Sequence, residues 1–234
     1  MRDQLDRVSL VPPRLDPQPV VVIADMTFDR RTWGVCVLRS PHLKKNLVWQ
    51  VAPHETVEVY ATCRERLESL GFKILAAVID GKPGLAEVFK DVPVQMCQFH
   101  QIAIVTRYLT RQPKLPAGLE LRQLALSLPH RDETTFIAQL QSWYQKWQPF
   151  LQEKSYNPLT RRRFYTHRRL RSAYRSLERN VGYLFTYRRY PQLDIPNTTN
   201  SLDGVFSHVK NMLRIHRGLK VQRKKKLIDE LLAK

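Results

Sequence analysis

Two apolar runs constrain the fold more than anything else in the chain. Val20-Val21-Val22-Ile23-Ala24 leads into Asp25, and Ile74-Leu75-Ala76-Ala77-Val78-Ile79 leads into Asp80. Short, β-prone runs without polar alternation suit strands buried on both faces, the environment of parallel pairs inside a sheet. Each strand then delivers a carboxylate at its C-terminal end. The chain of 234 residues has a formal net charge of +18, so two acids at the mouth of its sheet run against the sign of the whole. A divalent cation is the partner such a pair suits, and phosphodiester chemistry uses one. For either acid alone, a turn or helix-capping role is the plainer reading.

The surrounding pattern supplies the rest of a sheet. Residues 32–38 and 46–52 alternate apolar and polar and predict two strands joined by short turns. Residues 55–70 predict a helix closing at Gly71, 73–79 a fourth strand, 82–89 a short helix with Pro83 in its first turn, and 92–96 a fifth strand. The expected class is α/β: a mixed five-stranded sheet flanked by helices. A right-handed crossover would lay strand four beside strand one and parallel to it, about 4.8 Å away, so that Asp25 and Asp80 meet. Apolar residues at spacings of three and four dominate 116–190 and predict an all-helical insertion. A linker follows at 191–200, then an amphipathic helix over 200–213 and a basic helix over 222–232. The expected partition is a lead-in at 1–19, a first core part at 20–115, the insertion at 116–190, a returning core helix region at 191–220 and a basic C-terminal helix at 221–234.

Charge narrows the partners. Residues 151–234 hold 20 Lys and Arg against 6 Asp and Glu, whereas residues 1–150 hold 19 against 15. A phosphate backbone is the default partner of so basic a half. Arg161, Arg162 and Arg163 precede Phe164 and Tyr165, and Arg168 and Arg169 follow, a mixture suited to phosphates and to stacking on bases. His216, Arg217 and Lys220, then Arg223, Lys224, Lys225 and Lys226, extend the expected DNA-binding surface. A solvated charge run is the alternative. No stretch approaches the ~18 uncharged apolar residues of a membrane span. Residues 1–19 carry Arg2, Asp3, Asp6 and Arg7 and lack the apolar centre of a signal peptide. Three widely spaced cysteines suit a reducing compartment. A cytoplasmic, nucleoid-associated protein is expected if the source is bacterial.

Two further constellations carry chemistry. A metal pair wants a third acid, and Asp203, at the start of the helix expected from Asn200, is better placed than Asp194 or Glu178. A capping role for Asp203, with Asn200 as N-cap, is equally compatible with the pattern. Cys97 and His100 stand one helical turn apart. They lack the second ligand pair of a closed zinc site and an orienting group for a nucleophile, so packing at a strand-to-helix junction is the simpler reading. Gly81 and Gly84 suggest a phosphate-cradling loop, but no Gly-Lys-Ser/Thr ending completes one.

Taken together, the strand ending at Asp25, Val78-Ile79-Asp80-Gly81, Cys97-Gln98-Phe99-His100, Thr198-Thr199-Asn200-Ser201-Leu202-Asp203 and His216-Arg217-Gly218-Leu219 resemble the Mutator-like DDE transposases, including those of bacterial insertion sequences. The resemblance covers residues 20–220. It implies an RNase H-like core with an all-α insertion, and DNA strand cleavage and transfer with Asp25, Asp80 and Asp203 holding two Mg²⁺ or Mn²⁺ ions. Cys97 and His100 would be the family's signature pair. DNA ends and target would be the partners, bound by a homodimer in a synaptic complex. Two departures accompany it. Asp203 stands where the family has Glu, which retracts the carboxylate by about 1.5 Å, one carbon–carbon bond. The N-terminal DNA-binding region usual in the family is not seen ahead of Val20. Three functions are therefore expected: a transposase catalytic domain, a catalytically impaired transposon-derived DNA-binding protein, or an RNase H-like nuclease.

Overall fold

The computed structural model describes residues 15–29 and 32–233. Residues 1–14, most of the expected lead-in, lie outside them, as do Arg30 and Arg31 of the first turn and Lys234. The chain is α/β. Strands β1 (Pro19–Asp29), β2 (Trp33–Ser40) and β3 (Lys45–Ala52) form an antiparallel meander. Helix α1 (Val57–Ser69) crosses to β4 (Lys73–Ile79), which pairs with β1 in parallel. The short α2 (Leu85–Val88) then leads to β5 (Val94–Met96), parallel to β4. The sheet order is β3-β2-β1-β4-β5, so the expected meeting of strands one and four occurs. Gly71, at φ +88°, follows α1 in the left-handed conformation that a helix-ending glycine supplies. The second helix is shorter than the sequence suggests. Pro83 lies ahead of it, in the turn that follows Asp80.

The β1–β4 register decides the rest. Val20 pairs with Ile74 but Val21 pairs with Ala76, so Leu75 is an extra residue; thereafter Val22 faces Ala77 and Ile23 faces Val78. Leu75 and Ala76 consequently face the same side, as a bulge requires. Val21, Ile23, Ala76 and Val78 line one face, while Val20, Val22, Ala24, Ala77 and Ile79 line the other. α1 and α2 cover the second face. The first is roofed by α8 (Asn200–Ile215) and α9 (Val221–Leu232) through Leu202, Phe206, Val209, Leu227 and Ile228.

Between β5 and α8 the chain builds a second core from α3 (Gln98–Leu109), α4 (Pro116–Leu126), α5 (Glu133–Gln152) and α6 (Arg168–Leu184), followed by the short α7 (Thr186–Arg189). This segment is not all-helical as expected. β6 (Lys154–Asn157) and β7 (Arg162–Tyr165) form an antiparallel hairpin between α5 and α6. Each strand is only four residues long, and two of the hairpin's rings are covered by cations: the Arg168 guanidinium lies 4.7 Å from the Phe164 ring centre and that of Arg171 3.6 Å from Tyr165. The segment returns to the sheet through buried glutamines. Gln95 and Gln98 both donate to the Leu184 carbonyl, at 3.0 and 2.9 Å, and the Tyr187 N–H donates to Gln95 Oε1 at 2.9 Å.

α9 is held by more than apolar contact. Trp49 Nε1 donates to Asp229 at 2.8 Å and Asn46 to the Leu232 carbonyl at 3.0 Å. Lys224 is buried and pairs with Asp29 at 3.0 Å. Lys224 therefore leaves the expected DNA-binding surface; it falls on the helix face shared with Leu227 and Ile228 and closes α9 onto the end of β1. Lys224→Met should leave the Asp29 carboxylate largely enclosed and unpaired, costing about 1–3 kcal/mol. Denaturant unfolding measures that cost.

Candidate active site

Continued two residues beyond its last pair, Ile23 with Val78, the β1–β4 register sets Asp25 opposite Asp80. Without the bulge at Leu75, Asp25 would face Ile79. The alternation of both strands also turns the two acids to the face roofed by α8. Asp25 does not end its strand, as the sequence suggests; β1 continues to Asp29, paired with β2, while its pairing with β4 stops short of Asp25. The acid thus sits where β1 parts from β4.

Asp25 is only 7% exposed and makes no salt bridge among the described residues. Its Oδ1 accepts from the Met26 N–H at 2.7 Å. Burial pushes its carboxyl from 3.8 up to about 7; the His100 charge and the Met26 N–H pull it back, and the charges of Asp80 and Asp203 push it up further. Asp80 and Asp203 therefore both lie close enough to act on Asp25. Asp80 is half-buried, and its Oδ1 accepts from the Lys82 N–H at 2.9 Å, so the plain turn role is realised at one oxygen. Gly81 follows at φ +82°, where a Cβ would meet Met96 Cε at 2.1 Å. Glycine is needed here for the left-handed turn.

Asp203 lies in the first turn of α8 and is exposed. The capping arrangement with Asn200 does not form: the N-cap is Thr199, with no side-chain cap bond. The Thr199 hydroxyl and N–H instead point to the Cys97 sulfur, at 3.6 and 3.4 Å. Cys97 N–H in turn donates to the Ile79 carbonyl at 2.8 Å, directly before Asp80, and Gln98 N–H donates to the Asn197 carbonyl at 2.9 Å. Cys97 is therefore a latch between the end of β4 and the start of α8, a specific form of the packing role expected for it.

His100, in the first turn of α3, completes the surroundings. Its contact with the Cys97 sulfur pushes it up to about 9 against the opposing effect of burial, helped by Asp25 and Asp80. At neutral pH it is an imidazolium facing the acids. Burial opposes ionisation of Cys97, but His100 and Thr199 outweigh it and hold the thiol below its ordinary value. His100 Nδ1 and Thr27 Oγ1, the latter one strand repeat beyond Asp25, are buried without a hydrogen-bond partner among the described residues. Thr27 escapes sequence reasoning because nothing in its spacing marks it, whereas Thr199 belongs to the Thr198–Asp203 run singled out in the sequence without a role assigned to it. Cys36 and Cys63 are buried free thiols, and the Cys63 sulfur points to Gln50 Oε1 at 3.9 Å.

The basic residues divide. Arg161, Arg162, Arg163, Arg168, Arg217, Lys220 and Lys225 are exposed, and His216, Arg223 and Lys226 are half-buried. Arg169 is exposed but donates to the Arg107 carbonyl at the far end of α3 at 2.8 Å. No helix among the described residues is long and apolar enough to cross a membrane.

No protein-family model matches the chain, and no curated protein matches it. The functional reading rests on the site itself. As a metal site it fits in part. Asp25 is buried, Asp80 is half-buried, their charges interact, and the orphaned Thr27 hydroxyl lies two residues along β1 from Asp25. Among the described residues, however, no three His, Cys, Asp or Glu side chains are gathered closely enough to hold an ion.

The buried acid has a measurable consequence. The folded protein keeps a proton on Asp25 up to about pH 7, which the unfolded chain releases near 3.8. Stability associated with this group is full below about pH 4 and falls as pH rises to about 7, by about 4 kcal/mol at most. Asn keeps the oxygen that accepts from Met26 but carries no charge. Asp25→Asn should thus be more stable than the wild type at pH 8 by up to about 4 kcal/mol, with the advantage gone at pH 4. Urea unfolding at the two pH values tests this; equal stability at pH 8 would show that the carboxylate is not buried at a cost.

Proposed function

We propose that the chain is the catalytic domain of a divalent-metal-dependent DNA transposase with an RNase H-like core. The observation that carries this reading is the bulge-set register of β1 and β4, which ends just short of Asp25 and Asp80 and leaves their charges close enough to interact. The strand order and directions support the RNase H-like assignment, and the helices and hairpin over 116–190 stand where an all-α insertion is expected. Asp25 and Asp80 would hold Mg²⁺ or Mn²⁺, which when bound supplies a Lewis acid and an activated water or 3′-hydroxyl for attack at phosphorus. Around that centre the chain's own residues have distinct tasks. His100, protonated, offsets the charge of the acids. Cys97 and Thr199 fix the start of α8 and with it Asp203, whose charge reaches Asp25. The basic surface of the second half holds DNA through phosphates, with salt-sensitive affinity.

Asp25→Asn and Asp80→Asn should each reduce Mg²⁺-dependent cleavage of duplex DNA to background while leaving DNA affinity within about threefold, because neither acid offers a phosphate contact. Wild-type cleavage by either variant removes that residue from the site.

A specific observation favours a second reading, a catalytically impaired DNA-binding protein: Asp203 is exposed, one methylene shorter than the family's Glu, and not gathered with the other acids. Asp203→Glu separates the two. If Asp203 serves the metal, lengthening it should raise cleavage or move the preference from Mn²⁺ toward Mg²⁺, which demands stricter geometry. A wild type inactive with both ions, and unchanged by Asp203→Glu, selects the second reading.

A further inference from the structure

The β6–β7 hairpin has features that a phosphate-binding surface alone does not call for. Its base is clamped. Thr166 N–H donates to the Glu153 carbonyl at 2.9 Å, His167 bonds Glu153 at 2.9 Å, and the His167 ring stacks on Phe150 with centres 3.7 Å apart. Its turn is also fixed. Asn157 Oδ1 accepts from the N–H groups of Leu159 and Thr160, at 2.9 and 3.3 Å, and Arg161 takes a left-handed φ of +51°. At the apex of this rigid turn Leu159 is 93% exposed, with Tyr156 58% exposed on the strand below.

The charge around that apex has one sign. Between Glu153 and Glu178 the sequence contains no Asp or Glu and eight Lys and Arg residues. Arg161, Arg162 and Arg163 are exposed beside the turn. Arg168 and Arg171 lie over the rings of Phe164 and Tyr165 and so cover the apolar body of the hairpin. Leu159 and Tyr156 are left without such cover among the described residues, and Leu159, at the apex, is the more exposed. The hairpin lies apart from the acids. Arg169 anchors its end of α6 to the carbonyl of Arg107, seven residues along α3 from His100, or about 10 Å along the helix axis.

A two-stranded ribbon fits a DNA groove. An apolar side chain held out between phosphate-seeking arginines is the device by which proteins pry apart a base step and bend the duplex. We propose that the hairpin is a DNA wedge. Leu159 inserts between stacked bases while Arg161, Arg162 and Arg163 hold the flanking phosphates, distorting the duplex away from the scissile position. The inference deepens the DNA-directed reading above and rests on it. One leucine and one tyrosine make a weak anchor for a lipid bilayer, so duplex DNA is the favoured occupant.

The test uses the full chain, without divalent metal, and duplexes carrying 2-aminopurine at a TA step, the kind most easily unstacked. At saturation the wild type should raise 2-aminopurine fluorescence. Leu159→Ser should lose most of the rise while keeping its salt slope and an affinity within about threefold, since phosphate contacts dominate affinity; Leu159→Phe should retain the rise. Replacing Arg161, Arg162 and Arg163 by Gln should weaken binding and flatten the slope of log K against log salt by up to about 0.9 for each phosphate no longer neutralised. The wedge is overturned if the saturated wild type leaves the fluorescence unchanged or if Leu159→Ser retains the rise. It is likewise overturned if the protein prefers phosphatidylserine vesicles and Leu159→Ser abolishes that preference. Asp25-dependent cleavage without unstacking sinks the wedge alone, whereas failure to bind DNA at all sinks both this proposal and the function it rests on.

Discussion

The parallel pairing of β1 with β4 is the constraint on which the rest of the structure depends. A parallel pair cannot be closed by a tight turn, so α1 must cross over one face of the sheet. The opposite face still exposes Val21, Ile23, Ala76 and Val78, and the chain covers it only after the long excursion to α8 and α9. The single extra residue in β4 then has an effect out of proportion to its size. Side chains alternate with a period of two, so a shift of one residue exchanges the faces. Leu75 brings Asp80, rather than Ile79, level with Asp25 and turns it to the side where α8 begins. A carboxylate pair and the helix that roofs it are thus consequences of one irregularity in one strand pair.

That arrangement needs the two cores to stay in a fixed relation, and the short β5 supplies it. It is only three residues long, but polar groups on and beside it reach in both directions. Gln95 and Gln98 hold the end of α6, Thr186 donates to the Val94 carbonyl at 2.7 Å, and Cys97 holds Thr199. These groups are buried, so removing any one partner costs more than breaking an exposed hydrogen bond would. The spacing between Cys97 and His100 has a matching logic. One turn of helix separates a thiol that binds the incoming segment from an imidazole that faces the acids. The same helix, α3, therefore couples the position of α8 to the electrostatics of Asp25.

The sheet is legible in the sequence because its strands are apolar runs with clear boundaries: Lys73–Ile79 lies between Gly71 and Asp80 and is found at its full length. The acids are legible for the same reason, since each interrupts such a run. The hairpin is not. Lys154–Asn157 and Arg162–Tyr165 contain no aliphatic residue, and the rings of Phe164 and Tyr165 are covered by cations from α6 rather than by a core. The Asn157-Pro158 pair is the one turn signal there. Lys224 misleads because the run Arg223-Lys224-Lys225-Lys226 reads as one charge block, whereas helical spacing to Leu227 and Ile228 puts that one lysine inward. The bulge at Leu75 leaves no trace in residue type, so the sequence points to proximity of the acids without their register.

The choice between an active enzyme and an inactive DNA-binding relic turns on energetics at Asp25. A protein that only binds DNA gains nothing from a carboxylate that is 7% exposed, lacks a salt bridge among the described residues and is flanked by two other acids. An apolar side chain there would extend the packing of Val21 and Ile23 and remove a burial cost. Strain and unfavourable charge that the surrounding fold must offset are characteristic of sites kept for chemistry. Asp203 argues the other way only in reach, because its charge already acts on Asp25 from the first turn of α8. The acid that is costly to bury is the one whose charge meets those of Asp80 and Asp203, and under the proposed active reading the length of residue 203, rather than the integrity of the pair, is the variable to test.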